Sequence, residues 1–109
     1  MISRSAIENF AHCVAEAFKP QQIILFGSHA GGRPGGDSDV DLLVVMPFEG
    51  SPRQKATEIR LRVPANFPMD LLVRTPESLA HRLELGDPFF EEIVNKGEKL
   101  YESAHVGVD

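Results

Sequence analysis

Ile23-Ile24-Leu25-Phe26-Gly27-Ser28, ten residues, then Asp39-Val40-Asp41-Leu42-Leu43-Val44-Val45-Met46 is the stretch that decides the fold. The first apolar run reads as a buried strand that ends in a small-residue turn. The second begins with two carboxylates and is apolar on both faces beyond them, so it is expected at the centre of a sheet covered on both sides. Side chains alternate along a strand, which puts Asp39 and Asp41 on one face, one pleat apart. Paired carboxylates beside a Gly-Ser turn suit a divalent cation held against a triphosphate. They point to phosphoryl- or nucleotidyl-transfer chemistry. Asp-x-Asp alone would mark no more than solvated charges at a strand mouth, and the combination is what carries the signal.

Upstream, Ser5-Ala6-Ile7-Glu8 has the form of a capping box, and Ile7, Phe10, Val14, Ala17 and Phe18 recur at helical spacing until Lys19-Pro20. Cys13 falls within this helix and is expected as a small buried hydrophobe. Residues 28–38 hold four glycines and one proline, which leaves room for no more than a short helical turn after Ser28. Downstream, Ser51 to about Val63 reads as a helix carrying Arg53, Lys55, Arg60 and Arg62 against only Glu58. Met69 to Val73 is a third strand, Pro76 to Gly86 a third helix, and Asp87-Pro88 caps a fourth that carries Phe89, Phe90, Ile93 and Val94 and closes at Gly97. Lys99-Leu100-Tyr101 is a last extended piece, and residues 103–109 read as a frayed tail.

The 109 residues fit one α/β (α+β) domain, residues 1–109, with a mixed sheet flanked by helices. No apolar run approaches a membrane span, and Met1 to Asn9 has no secretory apolar segment. With a single cysteine there is no disulfide framework, so a cytoplasmic location is expected. The net charge of −5 argues against a general nucleic-acid binder.

Asp70 is a third acid near the start of a strand. If its strand lies beside that of Asp39 and Asp41, three carboxylates converge, and their repulsion calls for a cation. Mg²⁺ fits this hard oxygen donor set, with Mn²⁺ as a substitute, and two ions can clamp the attacking and leaving oxygens of an in-line displacement. Asp41 would bridge them, and Asp70 would help deprotonate the acceptor hydroxyl. Gly27 lets the backbone approach phosphate, and Ser28 offers a hydroxyl and an N–H. Arg33, or the helix face with Arg53 and Lys55, would supply counter-charge. Other motifs fail. No Gly-Lys-Ser/Thr follows the glycines, and their spacing is wrong for a dinucleotide fingerprint. The EF-hand-like start at Asp37 has Leu42 and Phe48 where Gly and Glu are needed, and His12, His29, His81 and His105 lack zinc spacing.

Leu25-Phe26-Gly27-Ser28, Asp37-Ser38-Asp39-Val40-Asp41-Leu42-Leu43-Val44, Asp70-Leu71-Leu72-Val73 and Glu92-Ile93-Val94-Asn95-Lys96-Gly97 with Leu100-Tyr101-Glu102 together resemble the minimal nucleotidyltransferase domains of the DNA polymerase beta superfamily. The resemblance covers nearly the whole chain. It implies a polymerase-beta-like fold, Mg²⁺ at Asp39, Asp41 and Asp70, and ATP phosphates at Gly27 and Ser28. Many relatives carry arginines just after Gly-Ser, where this chain has His29 and Gly31 and keeps Arg33. Domains this small are often antitoxins paired with a HEPN-domain ribonuclease toxin, and some transfer AMP from ATP to a tyrosine of that toxin. The other readings are a non-catalytic module that neutralises a toxin by contact, and an aminoglycoside-type nucleotidyltransferase, which the short length disfavours. The adjacent phenylalanines of the fourth helix cannot point the same way, so one is expected as a partner contact.

Overall fold

The continuous apolar run after Asp41 forms the strand on which the fold is built, with a helical layer on each face. The computed structural model describes residues 2–30 and 39–103. Its elements are α1 (Arg4–Phe18), β1 (Gln22–Phe26), a 3₁₀ turn at Gly27–His29, β2 (Val40–Val45), α2 (Pro52–Arg62), β3 (Met69–Arg74), α3 (Pro76–Glu84), α4 (Pro88–Lys96) and β4 (Glu98–Glu102). The sheet order is β3-β2-β1-β4. Strands β2 and β3 run parallel, while β1 is antiparallel to both β2 and β4. This is the mixed α/β sheet with flanking helices that the sequence implies. Residues 31–38, which include Arg33, and residues 104–109 lie outside the described part.

Alternation sorts the core into two halves. Ile23, Leu25, Leu42, Val44, Leu71 and Val73 pack with Ile7, Phe10 and Val14 of α1 and Ile59 of α2. Ile24, Leu43 and Val45 pack on the other face with Leu79 of α3 and Phe90 and Ile93 of α4. At β4 the pairing shifts, with Ile23 opposite Tyr101 and Ile24 opposite Lys99, so Leu100 is the extra residue of a bulge. A regular strand would point Leu100 and Tyr101 to opposite faces, yet both pack on the α1 side.

Two local expectations need correction. The cap of α1 is Ser3, not Ser5: the Ala6 N–H donates to Ser3 Oγ at 3.1 Å. Starting there places Ile2 just before the cap, against the same core cluster as Ile7 in the fourth helical position, the arrangement of a hydrophobic staple. It also frees Arg4 to bond both Glu8 and Glu98, tying α1 to the edge strand. Cys13 is exposed rather than buried. It lies six residues past Ile7, about 120° from it around the helix at ~3.6 residues per turn, which puts it outside the stripe of Ile7, Phe10, Ala11 and Val14. Ser103, placed in the tail by the sequence, donates its N–H to the Gln21 carbonyl at 2.8 Å. Among the described residues no helix is long and apolar enough to cross a membrane.

Gly97 closes α4 and sets how near that helix lies to β1. A Cβ there would stand 2.4 Å from the Ile93 carbonyl oxygen and 2.6 Å from Ile24 Cγ2. Its φ of −73° suits any residue, so the constraint is space alone. Gly97→Ala is expected to cost about 1–3 kcal/mol, the scale of overpacking a tight core. That should lower the melting temperature by about 4–8 °C per kcal/mol. An unchanged thermal melt would mean that α4 can move off the sheet freely.

Candidate active site at the open end of the central strands

Three strands bring the site together in one row. Phe26 at the end of β1 pairs with Asp41 near the start of β2, and Asp41 pairs with Asp70 near the start of β3. Asp41 shares its face with Leu43 and Val45, so both acids open toward α4 rather than α1. The adjacency that the sequence could state only as a condition is therefore met for Asp41 and Asp70. Asp39 stands one residue before β2, exposed, and acts on Asp41 through its charge.

Asp41 is held above the usual aspartate range. Partial burial is the largest cause, followed by the negative charge of Asp70, its hydrogen bond with Asp70, and the charge of Asp39, while the imidazole of His29 opposes them. Asp41 therefore holds its proton more tightly than an ordinary aspartate, and a cation between it and Asp70 would relieve the repulsion. Among the described residues no three of His, Cys, Asp and Glu stand close enough to cage a metal unaided. Such a donor set fits Mg²⁺, which binds commonly through one or two carboxylates and completes its shell with phosphate and water.

Gly27 fits against this acid. Its φ is +76°, and a Cβ built on it would lie 2.2 Å from Asp41 Oδ2. The turn therefore needs glycine for its backbone angle and again for the carboxylate beside it. Ser28 follows, exposed, and His29 is buried in the same 3₁₀ turn.

A cleft of about 740 Å³ opens over the row, lined by Gly27, Asp41, Arg60 and Asp70 at the strand ends and by Phe89, Glu92, Ile93 and Lys96 along α4. The four α4 positions recur at i, i+3, i+4 and i+7, one helical face. Neither Asp39 nor Ser28 lines the cleft. Among the described residues the cations that line the cleft are Arg60 and Lys96, while Arg53 and Lys55 do not line it, and Arg33 lies outside the described residues. Lys55 is paired with Glu58 at 2.8 Å and Arg62 stacks over Phe18, whereas Arg60 donates to the Met69 carbonyl oxygen at 2.7 Å, immediately before Asp70. Sequence reasoning had Arg60 as one of four basic residues on a helix, with nothing to single it out. The α4 spacing was legible, but not that this stripe faces the acids.

A family model described as nucleotidyltransferase domain matches residues 7–102. The chain belongs to this family. Solved structures share the fold of this nucleotidyltransferase domain at low identity. A protein from Sulfolobus solfataricus described as a nucleotidyltransferase superposes with a TM-score of 0.60 at 17% identity, over 90% of this chain and 78% of that one. A mutant of the toxin-antitoxin MntA-HpeT with two Asp→Glu substitutions gives 0.55 at 18%, over 89% and 74%. A toxin-antitoxin with AMP-PNP gives 0.56 at 20%, again over 89% and 74%. Among curated proteins none matches this chain.

Proposed function

We propose that this domain is a divalent-metal-dependent nucleotidyltransferase that moves AMP from ATP to a hydroxyl on a partner protein, as the antitoxin of a HEPN toxin. The observation that carries the reading is the in-register pair Asp41 and Asp70 at the mouth of a cleft whose turn glycine leaves space for the Asp41 carboxylate. Family membership supports nucleotidyl transfer. The likeness to two toxin-antitoxin structures, one with AMP-PNP, supports a protein partner and an adenine nucleotide.

Asp39, Asp41 and Asp70 would hold Mg²⁺, which when bound neutralises phosphate charge and acidifies the acceptor hydroxyl. Gly27 would receive the phosphates with Ser28 next to it in the turn, Arg60 and Lys96 would offset their charge from the lining of the cleft, and Arg33 would add a further counter-charge. Asp70 takes the proton of the acceptor hydroxyl. The acceptor oxygen bonds to the α-phosphorus, the bond from that phosphorus to the bridging oxygen breaks, and pyrophosphate leaves.

Incubation with labelled ATP and Mg²⁺, alone and with the protein encoded beside it, tests the reading. Label should pass to the partner, and EDTA should abolish transfer. No label on any protein, with toxin still neutralised, would replace catalysis with neutralisation by contact.

A further inference from the structure

The cleft holds more than an acid edge needs, and its two parts differ in chemistry. Asp41, Asp70, Arg60 and Gly27 make the strand-end part polar, while along α4 the charged Glu92 and Lys96 share the lining with Phe89 and Ile93, which together with Phe26 and Leu72 form an apolar strip. Phe89 is the residue this division leaves to be explained. Its neighbour Phe90 is 5% exposed and packs in the core, yet Phe89 remains 50% exposed. The Phe89 ring is fixed all the same. It meets Phe26 at 5.9 Å and 87°, and Phe90 at 5.1 Å and 80°, both edge-to-face contacts. Phe26 in turn pairs with Asp41, so the aromatic contact begins at the strand position next to the acids.

We infer that Phe89 is the seat of the nucleotide's base. A nucleotide divides as this cleft does, with charged phosphates at one end and a flat ring with apolar faces at the other. The ring that stacks on Phe89 is carried by the same molecule whose phosphates lie at Asp41 and Asp70, and the orientation follows from the cleft's two chemistries. This rests on the nucleotidyltransferase reading and adds the base subsite to it. It also reassigns the exposed phenylalanine of α4 from a contact with another protein to a contact with substrate.

Calorimetric binding of Mg-ATP and of Mg-tripolyphosphate, which has the phosphates and no base, separates the parts. Phe89→Leu, which keeps apolar volume but loses the flat ring, should weaken Mg-ATP by about 5- to 140-fold, the ratio to which ~1–3 kcal/mol of base stacking converts at about 1.4 kcal/mol per tenfold. It should leave tripolyphosphate within about twofold, and Phe89→Trp should retain ATP affinity. Equal loss of both ligands, or no loss of ATP, overturns the assignment, and in the latter case the ring is left as a protein contact. Wild-type protein that binds neither ligand would overturn the proposed function together with this inference. Wild-type binding of both with Phe89→Leu unaffected overturns this inference alone.

Discussion

Asp41→Asn is expected to lower nucleotidyl transfer by at least about 10²-fold, the scale on which removing one preorganised charge-stabilising group acts, while the metal-free protein melts no lower than the native one. The two effects have one cause. Burial and the charges of Asp70 and Asp39 raise the pKa of Asp41 in the fold, so the folded state holds its proton more tightly than the unfolded chain does. The resulting stabilisation is fully present below the ordinary aspartate value of about 3.9 and is lost as pH rises through the raised value. Above that raised value the ionised carboxylate works against folding, and Asn removes that opposition. Melting curves from pH 4 to 8 should show the variant gaining on the native protein as pH rises through that interval, then holding a constant lead. Mg²⁺ should stabilise the native protein more than the variant, since ligand binding to the folded state adds to its stability. A large fall in melting temperature for the metal-free variant at neutral pH would mark Asp41 as structural instead.

The second large effect is at Gly27. Gly27→Ala forces a side chain into a left-handed backbone position, at about 1–2 kcal/mol, and puts a methyl group on the Asp41 carboxylate. Asp41 can escape only by rotating out of its place beside Asp70, so transfer should fall as steeply as in Asp41→Asn. The melting temperature should also drop by about 4–8 °C for each kcal/mol lost. Asp41→Ala separates the two causes. In that background the collision is gone and only the backbone term remains, so the second substitution should be less costly than in the native chain. Equal costs in both backgrounds would show that the carboxylate does not press on the glycine.

Much of this was legible because it is local. The run from Leu42 to Met46 has no polar position, and only a central strand covered on both faces can use such a run. Ser51, Asp87 and Gly97 mark helix ends through their own backbone chemistry, and the structure places α2 and α4 between them. The error at α1 was also local. Ser3 and Ser5 both offer a hydroxyl, and the choice fell to contacts farther away, Ile2 on the core and Arg4 on Glu98.

By itself the sequence determined the order of the elements, the covered central strand, the Gly-Ser turn and the acids Asp39 and Asp41 at the entry to β2, since each follows from a short-range pattern of side chains along the chain. Tertiary structure alone decided that Asp70 stands level with Asp41, that Gly27 rests on the Asp41 carboxylate, that Arg60 and Lys96 face the cleft, and that Phe89 looks into it. Those facts depend on the register between strands that are 29 residues apart at Asp41 and Asp70, and on which face of each helix the sheet accepts. Helical periodicity gives α4 a stripe through Phe89, Glu92 and Lys96, but only packing against β1, at the distance Gly97 allows, turns that stripe toward the acids.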